Sequence, residues 1–273
     1  MGLRELACSL LLGALLLAPA SARAEDEVRL LVLRERGVGS AAQAQPYVDR
    51  FVALAAKRNA WTTAKGTYVT TREAAETFIT KDKPGYGIAT LAAFLALRSK
   101  HSLEPLGRVA ATRAGGQRYH LVSRSAADLA GCKGKKLASD HAEDVRFVDR
   151  VVSGGAFKVA DFTLVPTKRP VQTIRKVALG EADCALIDDA QLTDLAGVEE
   201  AKGVRSVWAS AELPAMVVAA FPGAPAAQKQ RFRESLGKLC DGEGKAACDE
   251  VGIQAMTALT SAELAPLLKA YGD

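Results

Sequence analysis

Apolar positions along this chain follow two alternating patterns. Short continuous apolar runs, such as VRLLVL at 28–33, mark strands buried on both faces. Longer stretches with apolar residues every three or four positions, such as PYVDRFVALAAKR from Pro46, mark amphipathic helices. The pattern predicts strands over 28–33, 66–70, 86–89, 103–111 and 118–124, then over 135–139, 162–165, 183–187, 204–208 and 215–221. Helices are predicted from Pro46 at N1, from Thr70 or Thr71 as N-cap to about Ile79, and over TLAAFLALRSK. Further helices fall over 126–131, 144–152, 171–179 with Gly180 as C-cap, and 226–239. After Phe221 the chain reads as helical to its end, with one helix after the cysteine loop and a last one over 261–271. Strands alternating with helices predict an α/β protein with parallel-rich sheets. The rhythm is clearest between Gly134 and Asp189, where polar groups stand just past the carboxyl end of each strand. Ligands of open α/β sheets bind at that edge. Two such halves, one interrupting the other, predict two lobes with a cleft between them.

The first 24 residues read as a targeting segment. Arg4 opens a short charged region, 6–18 is an apolar run too short to span a bilayer, and Ala22-Arg23-Ala24 places small residues before a cleavage point at Glu25. Cys8 precedes most of the apolar run and is badly placed for lipid attachment. The expectation is an exported periplasmic protein, cleaved after Ala24 and acting as a monomer. Cys132, Cys184, Cys240 and Cys248 remain, and an even count in an exported chain favours disulfides. Cys240 and Cys248 flank DGEGKAA, a loop that closes easily, for a gain of roughly 2–3 kcal/mol. Cys132 and Cys184 either pair or stay buried as thiols, because bridging needs their strands to lie close.

The chain carries 25% charged and 49% hydrophobic residues and a formal net charge of +5. These are ordinary globular values. The basicity is spread out, without a basic run or interleaved aromatics, so nucleic acid is excluded as a partner. The charge permits a mild bias toward an anionic solute. No G-x-S-x-G, H-E-x-x-H or phosphate-loop motif is present, and no enzyme is predicted.

Three stretches carry a family resemblance. GQRYHLVSRSAADLAGCKGKKLAS, ending at Ser139, resembles the middle of phosphonate/phosphate-type periplasmic substrate-binding proteins of ABC transporters, with its short helix followed by GKK-x-A. VQTIRKVALGEADCALID, ending at Asp188, and ELPAMVVAAFPGAPAAQKQRFRESLGKL, ending at Leu239, are similar to later segments of that family. The resemblance implies a type II periplasmic binding protein: two lobes, each a mostly parallel sheet flanked by helices, joined by two crossover hinge segments. Lobe one would be 25–111 plus 214–273, and lobe two 112–213. It implies capture of a small anionic or zwitterionic solute, phosphonate- or phosphate-like, without a cofactor, for an ABC permease. A membrane sensor as partner, in a domain that no longer transports, is the alternative. One departure stands out. Where the family has a Ser-Thr-Ser-Gly-like anion loop, this chain has Ser139-Asp140-His141-Ala142-Glu143-Asp144, whose carboxylates would repel a phosphonate if they faced it.

The candidate ligand-binding residues are those past the strand ends. They are Arg36, Thr70, Thr71 and Thr90 in lobe one, with Arg34 as a lesser candidate. In lobe two they are Ser139, Asp140, His141, Thr167, Lys168 and Asp188, with Tyr119 near the hinge. Thr70 or Thr71 also serves as a helix cap, and Asp188 and Asp189 favour the same role. The donors around His141 suit a metal by type, but no second histidine is near, and no metal site is predicted.

Overall fold

The computed structural model describes residues 27–35, 40–111 and 115–272; the expected leader and Arg36 lie outside them. Eleven strands are found among the described residues. In chain order they are β1 (Val28–Leu33), β2 (Ala64–Val69), β3 (Tyr86–Thr90), β4 (Glu104–Ala111), β5 (Tyr119–Ser123), β6 (Lys136–Ser139), β7 (Thr163–Pro166), β8 (Cys184–Asp188), β9 (Arg205–Ala209), β10 (Met216–Ala220) and β11 (Ile253–Ala258). They form a six-stranded sheet of order β11-β4-β10-β3-β1-β2 and a five-stranded sheet of order β7-β6-β8-β5-β9. In the first, β1 pairs in parallel with β2 and β3, while β10 and β11 run against their neighbours. In the second, β6 pairs in parallel with β7 and β8, and β5 runs against β8 and β9. Each sheet is therefore mostly parallel and interrupted by strands that return the chain.

The chain passes from the first sheet to the second after Ala111 and comes back after Ala209. The two passages run side by side. The Leu213 amide donates to the Gln117 carbonyl at 2.8 Å, and Ser210 donates to the Tyr119 carbonyl at 2.8 Å.

Three apolar clusters hold the elements. One covers the outer face of the larger sheet, where Trp61 stacks on Tyr86 at 5.2 Å and both meet Phe232 edge-on at 5.1 and 5.0 Å. A second packs Ile174, Val177 and Leu195 on Val122, Ala185 and Ile187 of the smaller sheet. The third is shared: Leu31, Leu33 and Phe94 from the larger-sheet side belong to the same cluster as Leu121, Phe147 and Leu186 from the smaller.

Four expectations are corrected. The first long helix starts at Ala41, not Pro46, because Ser40 and Gln43 form a reciprocal capping box; Pro46 lies inside the helix and withholds one backbone bond. The stretch over 144–152 is one short turn, Val145–Phe147, continued by a π-helix at Val148–Val152. The cysteine loop is itself helical, Gly244–Glu250 carrying Cys248. Finally, β11 was hidden in a stretch read as helical. It is an edge strand with a register shift between Ile253 and Ala255, so its buried residues, Ile253 and Met256, fall three apart instead of two.

Both cysteine pairs are bridged. Cys240–Cys248 closes over 8 residues, and Cys132–Cys184, which the sequence left open, spans 52 with its Cα atoms 6.1 Å apart.

Candidate functional site

A cavity of about 100 Å³ lies between the sheets. Its walls come from the carboxyl ends of strands in both: Arg34 and Glu35 follow β1, Thr90 ends β3, Asp140 and His141 follow β6, and Asp188 ends β8. Gly115, Gly116 and Tyr119, from the first passage between sheets, close one side. The strand-end edge of each sheet thus opens on the same space.

The smaller sheet's wall is a connected polar network. Past β6 the chain turns sharply: the Ser139 hydroxyl donates to the Leu186 carbonyl at 2.9 Å and accepts the His141 amide at 3.1 Å. That turn sends Asp140 inward, fully buried. Its Oδ1 accepts the Thr173 hydroxyl at 2.8 Å and the Gln191 Nε2 amide at 2.9 Å. The same Gln191 accepts through Oε1 from the Asp188 amide at 2.9 Å and from His141 at 2.7 Å. An amide oxygen only accepts, so His141 carries its proton on Nε2. Asp188 caps the next helix, Asp189–Ala196, by accepting the Gln191 amide at 2.9 Å, and its Oδ2 lies 3.9 Å from His141 Nε2.

These two carboxyls are driven apart electrically. Burial pushes Asp188 up; the charge of His141 and the Gln191 amide oppose this, the charges of Asp189 and Asp140 add to it, and the carboxyl ends above its ordinary value. Burial pushes Asp140 up as well, but the charge of His141 and the hydrogen bonds from Gln191 and Thr173 outweigh it, and Asp140 ends below the ordinary range. Tyr119 lies edge-on to His141, ring centroids 5.0 Å apart, and to Phe147 at 5.9 Å.

The opposite wall is tied across the cavity by Arg72. Its Nε lies 2.7 Å from Glu35 Oε1, and its Nη2 lies 2.8 Å from Asp144 Oδ2, on the far side. Burial lowers the guanidinium's pKa, but the two carboxylates more than restore it, and Arg72 stays charged. The Thr90 hydroxyl donates to the other Glu35 oxygen at 3.3 Å.

Residues 60–264 match the family model described as ABC transporter, phosphonate, periplasmic substrate-binding protein. The chain belongs to this family. No curated protein matches the sequence. Among solved structures, a protein of Xanthomonas citri bound to ATP superposes with a TM-score of 0.69 at 13% identity, covering 90% of this chain and 96% of that one. A binding protein component of an ABC phosphonate transporter from Pseudomonas aeruginosa gives 0.63 at 15% identity, covering 89% and 85%. The periplasmic aliphatic sulphonate binding protein SsuA from Escherichia coli gives 0.60 at 13% identity, covering 90% and 85%. At such identities these likenesses show the type II binding-protein fold and leave the ligand open.

Within this binding-protein fold the candidate residues divide. Thr90, Tyr119, Asp140, His141 and Asp188 line the cavity, and so does Arg34. Thr70 and Thr71 do not; Thr71 caps the helix Arg72–Asp82, accepting the Ala74 amide at 3.2 Å. Ser139 and Thr167 are buried behind the wall, Ser139 on the Leu186 carbonyl and Thr167 against the Thr173 hydroxyl at 2.5 Å. Lys168 is exposed, away from the cavity. Asp189 faces the passage between sheets and accepts the Gln117 and Arg118 amides at 3.0 and 3.3 Å. Of the two carboxylates that would meet a phosphonate, Asp140 faces the cavity and Glu143 is exposed outside its lining. Glu35, Arg72 and Gln191 have no place among the sequence candidates, and Asp144 stands there only as a metal-type donor beside His141. Only Gln191 carried a signal, the capping-box spacing from Asp188.

Proposed function

We propose that this protein captures one small solute between two lobes and delivers it to an ABC permease. The lobes are 25–111 with 214–273, and 112–213. The passages near 112–118 and 209–215 act as the hinge, and closure is a hinge motion about them. The observation that carries this reading is that both sheets turn their strand ends onto one cavity, with a side chain from each lobe bound to the other through Arg72. The family is one of transport binding proteins rather than enzymes, which supports a role without turnover. Among the described residues no helix is long and apolar enough to cross a membrane. Taken with the family's periplasmic setting, we read 1–24 as a leader cleaved after Ala24 and the protein as a periplasmic monomer that uses no cofactor.

The site residues in this reading are Thr90, Tyr119, Asp140, His141 and Asp188, with Arg34 beside them. The test is thermal stability against a panel of small phosphonates, sulfonates, amino acids and amines. A solute at about 100 times its dissociation constant adds about 2.7 kcal/mol. The expected result is one chemical class that raises the melting temperature, with the rise lost on Tyr119→Ala. A rise that survives Tyr119→Ala and Asp188→Asn together would place the solute elsewhere and defeat the reading.

A further inference from the structure

Backbone N–H groups at helix starts are ready anion sites, and four helices begin on the cavity. At each start at least one amide already donates within the protein. At Val145–Phe147, Asp144 Oδ1 accepts the Phe147 amide at 2.9 Å. At Asp189–Ala196, Asp188 Oδ1 accepts the Gln191 amide at 2.9 Å. At Leu91–His101, the Leu91 amide donates to the Ala215 carbonyl at 3.2 Å, and the Thr90 cap hydroxyl points to Glu35 at 3.3 Å. The fourth, Pro170–Ala178, opens with a residue that has no N–H, and its Gln172 and Thr173 amides donate to the Arg169 carbonyl at 3.0 and 3.3 Å. At two of the four starts a carboxylate of the chain itself, Asp144 or Asp188, takes an N–H that an anion would otherwise use.

The charge around the cavity points the same way. Glu35, Asp140, Asp144, Asp188 and Asp194 line it against Arg34 and His141. Arg72, behind the wall, is divided between Glu35 and Asp144. Carboxylates outnumber cations even with His141 protonated, in a chain whose overall charge is +5. Among the described residues no group of three or more His, Cys, Asp or Glu is placed to hold a metal ion. The apolar lining adds two aromatic rings to Leu91, Pro170 and three alanines: Tyr119 and Phe147 stand beside the acidic wall, and ring faces attract organic cations. A cavity of about 100 Å³ holds only a few heavy atoms.

We propose that the cleft takes a small organic cation, a protonated amine or quaternary ammonium without an anionic group, held by Asp140 and Asp188 against Tyr119. The proposal rests on the solute-binding reading above and departs from the family's phosphonate ligands. Its test is calorimetric titration of the purified protein with ethanolamine and choline, with glycine betaine, and with methylphosphonate and methanesulfonate. The expected result is heat of binding with one of the two cations and none with either anion. Asp188→Asn, which keeps a capping oxygen for the Gln191 amide, should weaken that cation about tenfold or more. Tighter binding of glycine betaine than of choline, or binding of either anion, overturns the proposal while leaving solute capture intact. No binding of any probe at tens of millimolar overturns both. Circular dichroism of Asp188→Asn confirms that a lost response is not lost folding.

Discussion

At Asp188 two demands meet in one carboxyl. One oxygen caps a helix, the other lies 3.9 Å from His141 Nε2, and the charges of Asp189 and Asp140 act on the buried carboxyl. Its folded value is raised, so folding favours the protonated form. The stability this gives is full below the unfolded pKa and is lost as pH rises through the folded one. Asp140 has the opposite sign: its lowered value contributes stability above the ordinary aspartate range, lost as pH falls through the folded pKa. Asp188→Asn should therefore gain stability relative to the parent as pH rises from the acid side toward neutral, and Asp140→Asn should lose it. Denaturant unfolding of the three proteins across that window checks both slopes, and parallel curves would contradict the assignment. Gly115 lies against the same carboxyl. Its φ is 69°, and a Cβ there would stand 2.0 Å from Asp188 Oδ2. Gly115→Ala should leave the secondary structure intact by circular dichroism and abolish solute-induced stabilisation, because it displaces a wall of the site. The sequence named Asp188 from its place at a strand end, but its neighbours come from a strand loop, a helix turn and the passage between lobes. Proximity of that kind leaves no mark in linear spacing.

The elements themselves were more legible. Apolar runs flanked by polar loops gave the strands around the cavity to within a residue or two, because those strands are buried on both faces and carry uniform apolar character. Edge elements were not. β11 has one buried face and a register shift, so its spacing imitates a helix, and Pro46 drew attention away from the Ser40 cap six residues earlier. That cap yields a direct measurement: Ser40→Ala should cost about 1 kcal/mol in urea unfolding. The disulfides separate by loop length. Cys132–Cys184 ties 52 residues and Cys240–Cys248 only 8. The loop-entropy relation gives about 4 and about 2.5 kcal/mol, so the paired Cys132→Ala and Cys184→Ala change should lower the unfolding midpoint more than the pair at 240 and 248.

Across the whole molecule, the proposed function requires two bodies that close on a solute. Arg72 binds Glu35 on one side and Asp144 on the other, in a largely desolvated setting where loss of the guanidinium would leave two carboxylates facing each other. Arg72→Met removes the bond between the lobes and should favour the open form and weaken solute binding. The two-body layout could be read from the repeated strand–helix rhythm and the interrupted order of segments; the cross-cleft tie could not, because Arg72 sits on a helix turn that the sequence assigned only to capping. The most direct measurement is small-angle scattering of the protein alone and with the solute that most raises its melting temperature. Closure on the solute predicts a smaller radius of gyration with solute, and a larger one for Arg72→Met at the same solute concentration. An unchanged radius in the presence of a solute that still stabilises the protein would mean that it binds outside the cleft, and would contradict closure of the lobes around it.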